Sequence, residues 1–173
     1  TTVLDGLLGA GSLAVLGGWL TGHPLLYSAD APVMSPFTAL SILLMAGTRQ
    51  ARLHFETWPV VLSLAMTGLV LGGNASSIVM LATTPPELWA SFPGLVLTSV
   101  MTSIGLVLFC AYDLIIELRE TPDSAFIMDD LLIHLALVPG GLSLLGYLLG
   151  NPVYLSIHAD PRVGISPLEM GFL

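Results

Sequence analysis

The chain has 173 residues, of which 54% are hydrophobic and 9% charged, with four Lys or Arg in all and a formal net charge of −8. An ordinary soluble domain carries roughly 25% charged residues, so there is too little polar surface here to clothe a water-solvated core, and lipid has to supply part of the solvent. The acidic balance excludes nucleic acid, which needs a basic stripe, and excludes electrostatic adhesion to anionic lipid.

A bilayer core needs roughly 20 apolar residues per helix, and five runs meet or approach that length. The first covers residues 3–20. It lacks the positive flank of a signal peptide and has Asp5 where that flank would stand. The second opens on Ser35-Pro36, covers residues 35–47, and reaches 53 if the helix tilts. Proline near the start of a helix removes a donor that has no intrahelical acceptor anyway.

The third run covers residues 59–81 and holds Gly68-x-x-x-Gly72, extended by Gly73 and Ser77 into a small-residue face. Such a face lets helices approach closely in lipid. It reads first as packing within the chain and second as a dimer seam. Asn74 stands in mid-run, where an amide has to find a partner on another helix.

The fourth run covers residues 93–118, with Cys110 as a small apolar residue and Asp113 and Glu117 near its end. An acid within a span is a functional candidate; the alternative is an interfacial acid beside Glu117, Arg119, Glu120 and Asp123. The fifth run covers residues 127–149, carries His134, and has Pro139-Gly140-Gly141 inside it, which predicts a kink. His134 and His54, at the inner end of the third run, are a conceivable axial pair for a haem; packed histidines are the simpler reading. Residues 166–173 read as the start of a sixth span in a longer chain.

Orientation follows from the arginines. Arg49, Arg52 and Arg119 fall on one side against Arg162 on the other, which makes their side cytoplasmic. Trp19, Tyr27, Trp89, Tyr147 and Tyr154 then gather at the outer boundary, and Trp58 and Tyr112 at the inner one, as aromatic belts. The outer loops, 21–34 and 150–165, carry His23, Tyr27 and Asp30 in one and Tyr154, His158 and Asp160 in the other. These residue types suit a divalent metal or a polar ligand, although their spacing differs and solvated loop residues are the plain alternative.

Those two loops share a phrase. Gly18-Trp19-Leu20 leads into a turn with Pro24 and Tyr27 and then Met34-Ser35-Pro36; Gly146-Tyr147-Leu148 leads into a turn with Pro152 and Tyr154 and then Ile165-Ser166-Pro167. The same orientation in both copies makes this a parallel loop repeat. No nucleotide loop, nucleophile elbow, zinc-protease motif or dinucleotide fingerprint is present, so no enzyme is expected within these residues.

The pattern Gly-aromatic-Leu, a Pro turn with Tyr, and Met34-Ser35-Pro36-Phe37-Thr38-Ala39-Leu40 ahead of Ser41-Ile42-Leu43-Leu44 resembles the N-terminal membrane sensor regions of bacterial histidine kinases and diguanylate cyclases. The resemblance covers residues 15–47 and, more loosely, 143–171, where Leu168-Glu169-Met170 replaces Phe-Thr-Ala. It implies an input region in the bacterial inner membrane that passes a stimulus to a cytoplasmic output module.

The expectation is thus one integral membrane domain over residues 1–173, an all-α polytopic helical bundle of five spans and the start of a sixth. Its partners are the lipid bilayer and a second copy of the chain or other membrane subunits. Its function is sensory input; an accessory transmembrane subunit of a redox or photosynthetic complex is the second reading. A transporter with Asn74, Asp113 and His134 on its path is the third.

Overall fold

The computed structural model describes residues 2–23, 34–83, 85, 99–118 and 127–149. These residues form five α-helices and no strand: α1 (Thr2–Leu20), α2 (Pro36–His54), α3 (Val60–Thr83), α4 (Val100–Leu118) and α5 (Ile127–Leu149). Three stretches are long and apolar enough to cross a membrane, Val3–Leu20 in α1, Val60–Met80 in α3 and Val100–Leu118 in α4. α2 falls short because Arg49 and Arg52 sit in its second half, and the apolar part of α5 is the shorter Leu131–Leu142. By length and composition the expected five spans therefore number three among the described residues, and residues 166–173 lie outside them. α5 continues as helix through Pro139, whose side chain is buried.

Helices adjacent in sequence are adjacent in space: α1 packs on α2, α2 on α3, α3 on α4 and α4 on α5, and α2 also touches α4. Polar links set their directions. Asp5 at the start of α1 meets Arg49 near the end of α2. Arg52 near the end of α2 meets Glu117 at the end of α4, and Ser63 at the start of α3 donates to that same carboxylate. At the opposite end, Trp19 Nε1 of α1 donates to the Met34 carbonyl just before α2, at 2.9 Å. α1–α2 and α3–α4 are therefore antiparallel pairs, and α2 and α4 run the same way.

The bundle is polar within and apolar without. Among the described residues fourteen polar or charged residues are buried against nine hydrophobic ones, while 25 large hydrophobic side chains are exposed, Val3, Val61, Leu118 and Leu148 among them. Water would drive the reverse distribution. In lipid, apolar side chains lose nothing by facing outward, and polar ones find partners only inside. The apolar part of the interior is a small cluster of Val15, Met34, Ala39, Ile42 and Leu106, against which Leu8, Leu16, Trp19 and Met45 pack.

α2 and α4 hold the centre, and they are built alike. α2 opens on Ser35, whose Oγ accepts from the Thr38 backbone N–H at 3.0 Å and lies 2.8 Å from the Thr38 hydroxyl. The residue before α4, Ser99, does the same with Thr102, at 3.1 Å and 2.8 Å. Each is an N-cap that satisfies an orphan donor of the first turn. Counting on from the two caps, 64 positions apart, buried residues recur in step: Thr38 and Thr102, Ala39 and Ser103, Ser41 and Gly105, Ile42 and Leu106, Ala46 and Cys110. Three residues further on, the pair is Arg49, half-buried, and Asp113, buried, opposite charges at equivalent positions of the two helices.

Candidate functional site: a charged end of the bundle

Asp5 lies in the first turn of α1, where a carboxylate complements the free N–H groups and the dipole; Arg52 and His54 lie in the last turn of α2, where cations complement the carbonyls. Arg49 and Arg52, three residues apart, share one side of α2 and diverge to different neighbours. The Arg49 guanidinium approaches Asp5 at 3.9 Å, and Gln50 Nε2 donates to the other Asp5 oxygen at 3.2 Å. Arg52 pairs with Glu117 of α4, whose carboxylate also accepts from Ser63 Oγ at 3.3 Å. α2 is thereby tied to α1 on one side and to α3 and α4 on the other.

The carboxylates of this cluster are buried, while the Arg49 and Arg52 side chains keep 42% and 24% of their surface exposed. Asp5 and Asp113 are 5% and 7% exposed, and the Glu117 side chain is 9% exposed. Asp113 and Glu117 are not solvent-exposed as the interfacial reading has them: the end of α2 and the start of α3 meet the end of α4 at this level. Asp113 is one turn from Glu117 on α4, in the field of the Arg49 and Arg52 guanidinium groups and of the Asp5 and Glu117 carboxylates. Among the described residues its carboxylate makes no hydrogen bond or ion pair, and the Tyr112 hydroxyl makes none either. The Nε of Arg52 is buried without an acceptor.

Two cavities open onto this cluster. One of about 240 Å³ is walled by the charged residues Asp5, Arg49, Arg52 and Asp113, with Tyr112, Leu53 and Ile116. An apolar one of about 360 Å³ lies between α1, α2, α4 and α5 and has Asp5, Arg49 and Tyr112 in its wall as well. Tyr112, expected in an interfacial belt, lines both cavities.

The other expected site residues are scattered. His23 is exposed just past α1, its Nδ1–H donating to the Thr21 carbonyl at 2.9 Å. Tyr27, Asp30, Tyr154, His158 and Asp160 lie outside the described residues. His54 is exposed and its Nε2–H donates to Gln50 Oε1 at 3.1 Å; His134 is exposed on α5; neither lines the two cavities. No group of three metal-ligating side chains occurs among the described residues.

Asn74 does find its partner helix: fully buried on α3, its Nδ2 donates to Ser41 Oγ on α2 at 3.2 Å and to the Val70 carbonyl at 2.9 Å. The three glycines of α3 divide. A Cβ on Gly68 or Gly72 would meet open space, whereas one on Gly73 would come within 2.7 Å of the Phe37 ring of α2. Gly73 is the intramolecular packing glycine, and Gly68 and Gly72 face outward.

The functional group that sequence reasoning passed over is Asp5, read above as a missing positive flank. Its signal was present: a lone acid in an otherwise apolar run has to meet a partner when the run is buried. No family model, curated protein or solved structure matches this chain, so the chemistry of the site rests on the geometry of these residues.

Proposed function

We propose that this chain is a membrane-embedded sensory input domain that relays a stimulus to a cytoplasmic output module. One observation carries the reading. α2, the central helix, ends in two partly exposed arginines that meet buried carboxylates of α1 and α4, one of them shared with α3, so a shift of any one helix alters the partners of the others. The segment that resembles sensor regions, Met34 to Leu44, forms the cap and first turns of that same helix. In this reading α2 and α5 also cross the bilayer, a sixth span follows, and the charged end faces the bacterial cytoplasm, in line with the arginines. The loops that share a phrase, with His23, Tyr27, Asp30, Tyr154, His158 and Asp160, then lie outside as a parallel repeat.

The experiment is to read the gene past Leu173 and to assay the full-length protein in native membranes. A kinase or cyclase module whose basal output changes in Arg52→Ala supports the proposal. A reading frame that stops soon after Leu173 refutes it.

A second reading, an accessory subunit of a larger redox or photosynthetic complex, is favoured by the outer face of α3. Val61, Ala65, Gly68, Gly72, Ala75 and Val79 are all exposed and recur at alternating steps of four and three, the spacing of a helix-pairing seam. A homodimeric sensor would use that seam on itself, an accessory subunit on another chain. Native mass spectrometry of the protein extracted in mild detergent separates the two. A pure homodimer with no visible absorbance band supports the sensor, and co-extracted cofactor-bearing chains support the subunit.

A further inference from the structure

Among the described residues the charges of this cluster do not sum to zero. Three carboxylates, Asp5, Asp113 and Glu117, face two guanidinium groups, Arg49 and Arg52. Both arginines are engaged, Arg49 with Asp5 and Arg52 with Glu117. The unmatched group is Asp113, 93% buried by its 7% exposure, without a hydrogen bond or ion pair among the described residues, and part of the charged cavity wall. A buried charge is tolerated when it is paired and hydrogen-bonded and is costly otherwise. Among the described residues this wall lacks one positive charge that brings N–H donors, and about 240 Å³ beside Asp113 is open to receive it.

The apolar cavity shares Asp5, Arg49 and Tyr112 with this wall and takes a side from each of four helices: Leu8 of α1, Met45 of α2, Phe109 of α4 and Leu137 of α5. Its volume of about 360 Å³ falls within the roughly 300–1,000 Å³ of small-molecule pockets. Head and tail thus have separate, adjoining compartments. The shape excludes an inorganic cation as the sole occupant, since the apolar compartment would stay empty and no third ligating side chain joins the acids among the described residues. The charge disfavours an anionic amphiphile, because a carboxylate or phosphate head would add to three carboxylates, Asp5, Asp113 and Glu117, that already outnumber the two guanidinium groups among the described residues.

We propose that the chain binds a single-chain amphiphilic amine, its ammonium head donating to the Asp113 carboxylate beside Tyr112 and its apolar body lying in the cavity between α1, α2, α4 and α5. The Tyr112 ring, in the wall of both compartments, adds a face on which a cation is attracted. This site goes beyond the sensory reading and does not depend on it, because occupancy is measured directly and output is not.

The test uses the full chain in zwitterionic lipid nanodiscs with radiolabelled dodecylamine, and empty nanodiscs as the measure of partitioning. Saturable binding above the empty discs is expected, with dodecanol and dodecanoate failing to compete. Asp113→Asn, which keeps the shape and removes the charge, is expected to weaken binding by about tenfold or more, the worth of a charge-assisted hydrogen bond. Leu8→Trp, which fills the apolar compartment and leaves Asp113 in place, is expected to abolish it. Equal affinity in Asp113→Asn overturns the proposal. So does competition by dodecanoate as strong as by unlabelled dodecylamine, a comparison made on the unmodified chain and therefore decisive even where a variant does not fold.

Discussion

Removing one side of the Arg52–Glu117 pair should destabilise the bundle far more than removing both. The Glu117 side chain is 9% exposed, and with Arg52 gone its remaining donor among the described residues is Ser63. Breaking a buried pair from one side costs about 3–5 kcal/mol; because the Arg52 side chain keeps 24% of its surface exposed, the lower end applies, about 3 kcal/mol for Arg52→Met. Glu117→Leu strands the guanidinium, whose Nε already lacks an acceptor, at a cost of similar size. The double variant leaves no charge unpaired and replaces it with apolar volume, so it should lie within about 1 kcal/mol of the unmodified protein. The coupling energy then comes to several kcal/mol, at or above the upper end of what contacting residues show. Unfolding of all four proteins by sodium dodecyl sulfate in mixed micelles, followed by circular dichroism, measures it. If the two single losses simply add and the coupling is below about 0.5 kcal/mol, the pair is solvated and the network reasoning fails.

Gly73→Ala should cost about 1–3 kcal/mol through overpacking against Phe37, and Phe37→Leu in the same chain should recover part of it; Gly68→Ala, in open space, should be neutral or stabilising by the same micelle titration. Ser35→Ala and Ser99→Ala each remove a cap and should each cost about 1 kcal/mol; a loss in one and none in the other would break the equivalence of α2 and α4. Asn74→Leu should cost about 0.6–1.7 kcal/mol, the range of interhelical hydrogen bonds in lipid, and Ser41→Ala added to it should cost almost nothing more, since the Asn74–Ser41 bond is then already absent.

Hydropathy made the helices legible and missed what joins them. α5 coincides with the fifth apolar run, Ile127–Leu149. α2 outlasts the Gly47 limit of its apolar core and reaches His54 because Arg49 and Arg52 meet buried carboxylates, and a hydropathy scale sees the residue and not its partner. Asn74 was legible as a group in need of another helix; Ser41 as that partner was not. The small-residue motif was legible as a packing face, but its register was not: two glycines turn outward and the third turns in. Asp5 escaped notice because its meaning depends on Gln50, 45 residues away.

The order in which the chain is made gives the central helix an awkward youth. When α2 leaves the ribosome, Asp5 has already been synthesised, so Arg49 has its counter-charge at hand. Arg52 does not: Glu117 comes 65 residues later, which at about 5–20 residues per second is a wait of roughly 3 to 13 seconds. During that interval a helix with an unneutralised guanidinium has every reason to keep its last turn at the headgroups, where the charge stays hydrated. The assembled packing of α2 is then a late event in biogenesis, completed when the end of α4 arrives and not when α2 itself is released.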